Sequence, residues 1–69
     1  MPDSAAIGRE LRRQRKERQV TLRDQAAAMA VSAPYLSDLE RGHRRWSEKL
    51  VGRFEMALER LAAGEGGVA

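Results

Sequence analysis

Eleven arginines against two lysines, and the places where they fall, decide what chemistry this chain can do. Arg9, Arg12, Arg13, Arg15, Lys16 and Arg18 crowd one stretch against Glu10 and Glu17, and Arg41, Arg44 and Arg45 form a second group around His43. A guanidinium is a planar fork of donors that stays charged at any accessible pH, so clusters of them suit phosphate and carboxylate oxygens better than they suit acid–base work. Glu48, Glu55 and Glu59 tilt the last third of the chain the other way, so a formal net charge of +3 understates how basic one pole is. No cysteine is present and only one histidine, which excludes a disulfide framework and a thiolate metal site and leaves no cofactor or metal expected. Catalysis would need a pocket with perturbed acid, base or nucleophilic groups, and so small a chain has little room to bury one. The implied chemistry is the holding of a phosphate-rich surface.

The elements that must position these charges are written locally. In residues 32–42, SAPYLSDLERG, Ser32 can cap a helix with its hydroxyl, Pro34 stands in the first turn where its missing N–H costs nothing, and Gly42 supplies a left-handed residue past the end. Upstream, Thr21 followed three residues later by Asp24 reads as a capping box opening a helix over residues 22–30. Only Ala30 and Val31 then separate it from the next cap, too tight a link for two antiparallel helices, so the pair should cross steeply as a helix-turn-helix. Leu22, Ala26 and Met29 give the first of them an inward side, and Leu36 and Leu39 do the same for the second. A basic helix over residues 7–18 precedes them, with Ile7, Leu11 and the stem of Arg15 on one face. Ser47 caps a last helix carrying Leu50, Phe54, Leu58 and Leu61, in which Gly52 marks either a close helix approach or simple tolerance. Sixty-nine residues with one Trp, one Tyr and one Phe make a single small all-α domain whose core is thin and aliphatic, so that partners add to its stability by mass action. Residues 1–6 read as a flexible arm, 7–61 as the domain, and 62–69 as a disordered Gly-rich tail.

The run TLRDQAAAMAVSAPYLSDLERG resembles the core of the phage-repressor, or Cro/CI-like (XRE), family of helix-turn-helix proteins. The resemblance rests on Thr21, Ala26, Val31, Leu36 and the ending Ser37-Asp38-Leu39-Glu40-Arg41-Gly42, and it spans residues 7–61. It implies a compact fold of four helices, or five if the tail adds a short one. Departures from the family pattern are Ala30 for the usual Gly, Gln25 for an apolar residue, Leu22 for a phosphate-binding Gln and Trp46 for Pro. The family's base-contacting positions fall on Ala33, Pro34, Ser37 and Asp38, with Tyr35 beside them near a backbone. Ala33 and Pro34 offer only apolar contact or close backbone approach, while Asp38 can accept from a cytosine amine or serve surface solubility. Thr21, Arg23, Tyr35, Arg41, His43, Arg44 and Arg45 are expected at the backbone or, for the loop arginines, in a narrow minor groove. The family's structural ion pair maps onto Arg15 and Glu40.

These readings point to a sequence-specific regulator of transcription that binds double-stranded DNA, a small repressor working as a homodimer on a palindromic site. Val51, Met56 and the end of the last helix are the candidate dimer face. An antitoxin or restriction-modification controller uses the same domain, and a protein-interaction module that has lost DNA binding would explain the apolar Ala33 and Pro34; either makes a regulatory protein a partner. No apolar run reaches membrane-span length and the N-terminus lacks a signal-peptide layout, so a cytoplasmic location is expected, with no membrane partner.

Overall fold

A computed structural model describes residues 3–64 of the chain. Four helices make up its regular structure, α1 (Ser4–Glu17), α2 (Leu22–Ala28), α3 (Ala33–Glu40) and α4 (Glu48–Ala62), with no strand among the described residues. Each helix starts on a side-chain cap that takes up one of the amides a helix leaves without partners. Asp3 Oδ1 accepts from Ala5 N at 3.0 Å, Thr21 Oγ1 from Asp24 N at 3.1 Å, Ser32 Oγ from Tyr35 N at 3.2 Å and Ser47 Oγ from Leu50 N at 3.1 Å.

Several boundaries differ from expectation, among them the end of α4, which runs through Ala62 with Ala63 as its cap, inside the stretch read as a disordered tail. The first helix begins at Ser4 rather than at residue 7, inside the stretch read as a flexible arm, because Asp3 caps it and the Ser4 hydroxyl accepts the Trp46 N–H at 3.0 Å. Met1 and Pro2 of that arm, and residues 65–69 of the tail, lie outside the described residues. The second helix stops at Ala28, with Met29 as its cap, because Ala30 turns left-handed at φ 58°. The ends of α1, α2 and α3 share one device, a left-handed residue with two backward amide bonds. At Ala30 these are Ala30 N to Ala27 O at 3.0 Å and Val31 N to Ala26 O at 3.0 Å; Gln19 (φ 59°) and Gly42 (φ 81°) repeat the pattern. Only Gly42 is free of the Cβ penalty, which costs an alanine or glutamine about 1–2 kcal/mol.

The core gathers Leu11, Ala26, Met29, Leu36, Leu39, Trp46, Phe54, Ala57 and Leu58. Trp46 packs edge-on to Phe54 of α4 with ring centroids 5.8 Å apart and planes at 80°, and its indole N–H donates to Leu39 O at 2.9 Å. Gln25 is fully buried at a position where an apolar side chain would fit the surroundings. Its Nε2 donates to Phe54 O at 3.0 Å, tying α2 to α4, while Oε1 has no protein partner. A buried acceptor left unmet costs about 1–3 kcal/mol.

Two glycines separate sharply. A Cβ at Gly8 would lie 2.6 Å from the carbonyl oxygens of both Leu39 and Glu40, so α1 crosses the end of α3 at backbone contact. Around Gly52 nothing stands within 4 Å, which settles its place in α4 as tolerance rather than close approach. Gly8→Ala is therefore expected to destabilise by about 1–3 kcal/mol through overpacking, and Gly52→Ala to stabilise by about 0.5–1 kcal/mol. Urea unfolding followed by circular dichroism checks both, and equal effects of the two substitutions would contradict the assignment.

Candidate nucleic-acid interface

The turn of Met29 to Ser32 sets α3 across α2, and α3 divides into two sides. Leu36, Leu39 and Glu40 are buried, and of Ala33, Pro34, Ser37 and Asp38 on the other side Pro34 is exposed and the other three half-buried, Ala33 also packing against the core. The four positions are spaced i, i+1, i+4 and i+5, so they share one strip of helix surface about as wide as a groove-reading helix presents. Thr21 and Arg23 are exposed at the start of α2, and Arg41, His43, Arg44 and Arg45 are exposed beyond the end of α3.

Behind this strip, Arg15 and Glu40 meet almost out of water, 6% and 4% exposed. Arg15 Nε donates to Glu40 Oε2 at 2.8 Å and a terminal nitrogen to Oε1 at 2.9 Å, a two-pronged pair between the end of α1 and the end of α3. The remaining nitrogen donates to Val20 O at 2.8 Å in the turn that leads into α2. One guanidinium thus joins three segments. Opposite the pair, Arg12, Arg15, Leu22, Ser37, Glu40 and Arg41 line a cleft of about 100 Å³.

Arg12, outside the contact residues expected from the sequence, also borders this cleft. It sits half-exposed with Nε 4.0 Å from Glu40 Oε1 and brings an α1 cation to the edge of the α3 strip. The available signal was its i, i+3 spacing from Arg15, which puts both on adjoining faces of one helix. Other members of the basic stretch have been withdrawn from it. Arg15 is buried, and Arg13 is bonded to Glu10 at 2.6 Å and also to Glu17, one turn either side. The Arg13 hydrogen bonds, with a smaller one from Gln14, hold the Glu10 carboxyl down to about 2. Arg9, Arg12 and Lys16 are the other exposed cations on α1, with Arg18 at its C-cap.

Around Asp38 the structure brings together four of the expected contact residues. Asp38 Oδ2 is 3.5 Å from Arg44 Nε, its Oδ1 is 4.0 Å from His43 Nδ1, and the Arg44 guanidinium lies over the Tyr35 ring, 5.0 Å from its centroid. Tyr35 itself packs against the core from its half-buried position.

Two short helices crossed by a tight turn, the second held by its buried side and offering its outer side beside cationic groups, define a small DNA-binding domain of the helix-turn-helix class. The chain belongs to the family described as Helix-turn-helix domain, which matches residues 6–65 and lies within the Cro/CI-like (XRE) superfamily. No curated protein and no solved structure gives a match to it. Family membership implies DNA binding and a regulatory rather than a typically enzymatic role. Among the described residues no helix is long and apolar enough to cross a membrane, and no group of His, Cys, Asp or Glu could hold a metal ion.

Removing one member of the buried pair leaves the other charge desolvated. Arg15→Ala is expected to cost about 3–5 kcal/mol of folding stability, and Arg15→Met combined with Glu40→Leu to return near the parent value; a double variant as unstable as the single one would show that the pair is not what matters. Glu10 gives a pH test. Its carboxyl is depressed in the fold, so its contribution is present above the ordinary value near 4.5 and is lost as pH falls toward 2. A side-chain NMR titration should place its midpoint near 2, and Arg13→Ala should bring it back to the ordinary carboxylate range.

Proposed function

We propose that the protein is a sequence-specific transcriptional regulator, a small repressor that binds a palindromic double-stranded DNA site as a homodimer with α3 in the major groove. The observation that carries this reading is the split of α3, whose buried Leu36, Leu39 and Glu40 leave Pro34, Ser37 and Asp38 accessible on the other side, with half-buried Ala33 at its edge. Ala33 and Pro34 supply apolar contact, suited to a thymine methyl, and Ser37 can donate or accept. In this reading Thr21, Arg23, Tyr35, Arg41, His43, Arg44 and Arg45 contact the flanking phosphates, helped by the amide-rich starts of α2 and α3. Arg12 adds a cation from α1 at the cleft shared with Ser37 and Arg41.

One such domain spans few base pairs, and specific affinity calls for a second copy on a half-site about 34 Å away. The outer surface of α4 supports that part of the reading. Met56 is 68% exposed, a large apolar side chain in water, and with Glu59, Arg60 and Ala63 it borders an open groove. Val51 packs partly against the core, which leaves Met56 as the apolar centre of a dimer face. A cytoplasmic location, with access to the chromosome, follows from the proposed role.

Selection of bound sites from random duplex DNA, then titration of the selected and a scrambled duplex at two salt concentrations, tests the proposal. The expected winner is a palindrome preferred by at least about a thousandfold, bound by two copies in sedimentation analysis, with Met56→Lys weakening the assembly but not the fold. Weak binding that ignores sequence and falls steeply with salt would reduce the function to electrostatic holding. No binding at all would overturn it in favour of a protein-interaction module.

A further inference from the structure

Asp38 is the odd member of the outward strip, a carboxylate where the proposed ligand is a polyanion. Its surroundings give it a different task from reading a base. One oxygen faces Arg44 Nε at 3.5 Å and the other faces His43 Nδ1 at 4.0 Å, so both are directed at cationic or potentially cationic groups of the loop that follows α3. Arg44 in turn has its guanidinium carbon over the Tyr35 ring, 5.0 Å from the centroid. Tyr35 and Asp38 stand three residues apart on α3, so ring and carboxylate are neighbours on one helix face and grip one side chain between them. Both Arg44 and Asp38 are about half exposed, 55% and 40% for their side chains. The grip is therefore at the surface, where it orders a long flexible side chain rather than adding to the core.

We propose that Tyr35 and Asp38 form a clamp that presets Arg44 against α3, so that Arg44 engages DNA in register with the reading helix and Asp38 acts as a positioning residue rather than a base reader. The inference rests on the DNA-binding reading for its functional consequence, though not for the clamp itself. An arginine held in advance loses less freedom on binding and contributes more to the discrimination between sites than one that must be ordered at the moment of contact. The carboxylate also cancels most of the charge of Arg44 at distances beyond the pair, so the unit adds little to the attraction for DNA of any sequence. Accuracy is gained at the expense of indiscriminate affinity.

The experiment compares the full chain with Asp38→Asn, Arg44→Ala and the double variant, on the selected and the scrambled duplex over a range of salt. Asp38→Asn should bind the scrambled duplex more tightly, with the slope of log affinity against log salt steeper by about one. It should also lose about five- to tenfold in selected-over-scrambled preference. In the Arg44→Ala background the same change should leave that preference unaltered. If Asp38 instead reads a cytosine amine, its substitution weakens the selected site at one base position and does so with or without Arg44, and the proposal is overturned. The clamp is also visible without DNA. The Arg44 side-chain methylene protons should show an upfield ring-current shift from Tyr35 that Asp38→Asn removes while the methyl resonances of Leu36 and Leu39 stay in place. An unshifted Arg44 in the parent protein sinks the clamp, whereas a shifted Arg44 in a protein that binds no duplex sinks the DNA-binding reading alone.

Discussion

At Arg15 and Glu40 a full positive and a full negative charge have been taken out of water, and the rest of the architecture is arranged so that they can meet. Desolvating two ions is expensive, and a buried pair returns little net stability over an apolar replacement. What it returns is geometry, since a two-pronged guanidinium–carboxylate contact admits one relative orientation of its parents. The pair fixes the end of α1 to the end of α3, and its third bond, to Val20 O, fixes the turn into α2. Two turns earlier on α1 the same two helices come to backbone contact, closer than a side chain would allow. Gly8 makes the approach, and its neighbours across the gap are the carbonyls of Leu39 and of Glu40 itself. The same crossing is closed at its outer end by Gly42 against the backbone of Ala5 and by Ser4 accepting from Trp46. A basic helix that has to face solvent on most of its circumference is thereby held by a narrow seam, and that seam sets the aim of α3.

Elsewhere the fold tolerates local costs. Gln19 and Ala30 occupy left-handed backbone without being glycine, and Gln25 carries an unmet oxygen into the core. The Ala30 turn is braced from outside itself, since Arg53 of α4 donates to Met29 O at the close of α2. Gln25 likewise reaches α4, at Phe54 O. Both bonds run from the helix-turn-helix to the last helix, so α4 does more than cover an apolar face. It holds the tight turn in a conformation that the local sequence disfavours, which transmits the packing of Phe54, Ala57 and Leu58 to the angle between α2 and α3.

What the sequence made legible was what is encoded within one turn of a helix, together with the one long-range pair that the family pattern supplied. Thr21, Ser32 and Ser47 cap the helices they were read to cap, Leu36 and Leu39 face inward, and the Arg15–Glu40 contact lies where the family pattern put it. Asp3 was passed over because a cap is recognised by the periodic run behind it, and Ser4-Ala5-Ala6 has no apolar period to show. Ala30 read as the last helical residue because alanine favours helix everywhere, and only the tertiary brace from α4 shows why it leaves it. Gly8 gave no local sign at all, since a close approach is a property of two helices and not of one. The site divides the same way. The outer strip of α3 follows from helical spacing, while the grouping of Asp38, Arg44 and Tyr35, and the cleft shared by Arg12 and Ser37, depend on how an aperiodic loop folds back and where α1 crosses.

Counting arginines overstates the charge this surface offers. Arg15 is consumed in the buried pair, Arg13 is bracketed by Glu10 and Glu17, and Arg44 faces Asp38. Arg23, Arg41 and Arg45 remain exposed, and in the proposed role they carry the attraction for phosphate, with Arg12 shared with Glu40 at 4.0 Å. The outer strip itself is poor in donors, with Ala33 and Pro34 at its leading end. A protein that neutralised every phosphate within reach would bind all sequences strongly and distinguish few of them, because the electrostatic part of affinity carries no sequence information. Pairing part of the cations internally lowers that common part, so in the DNA-binding role proposed above a larger share of the binding energy falls to shape and apolar contact at α3.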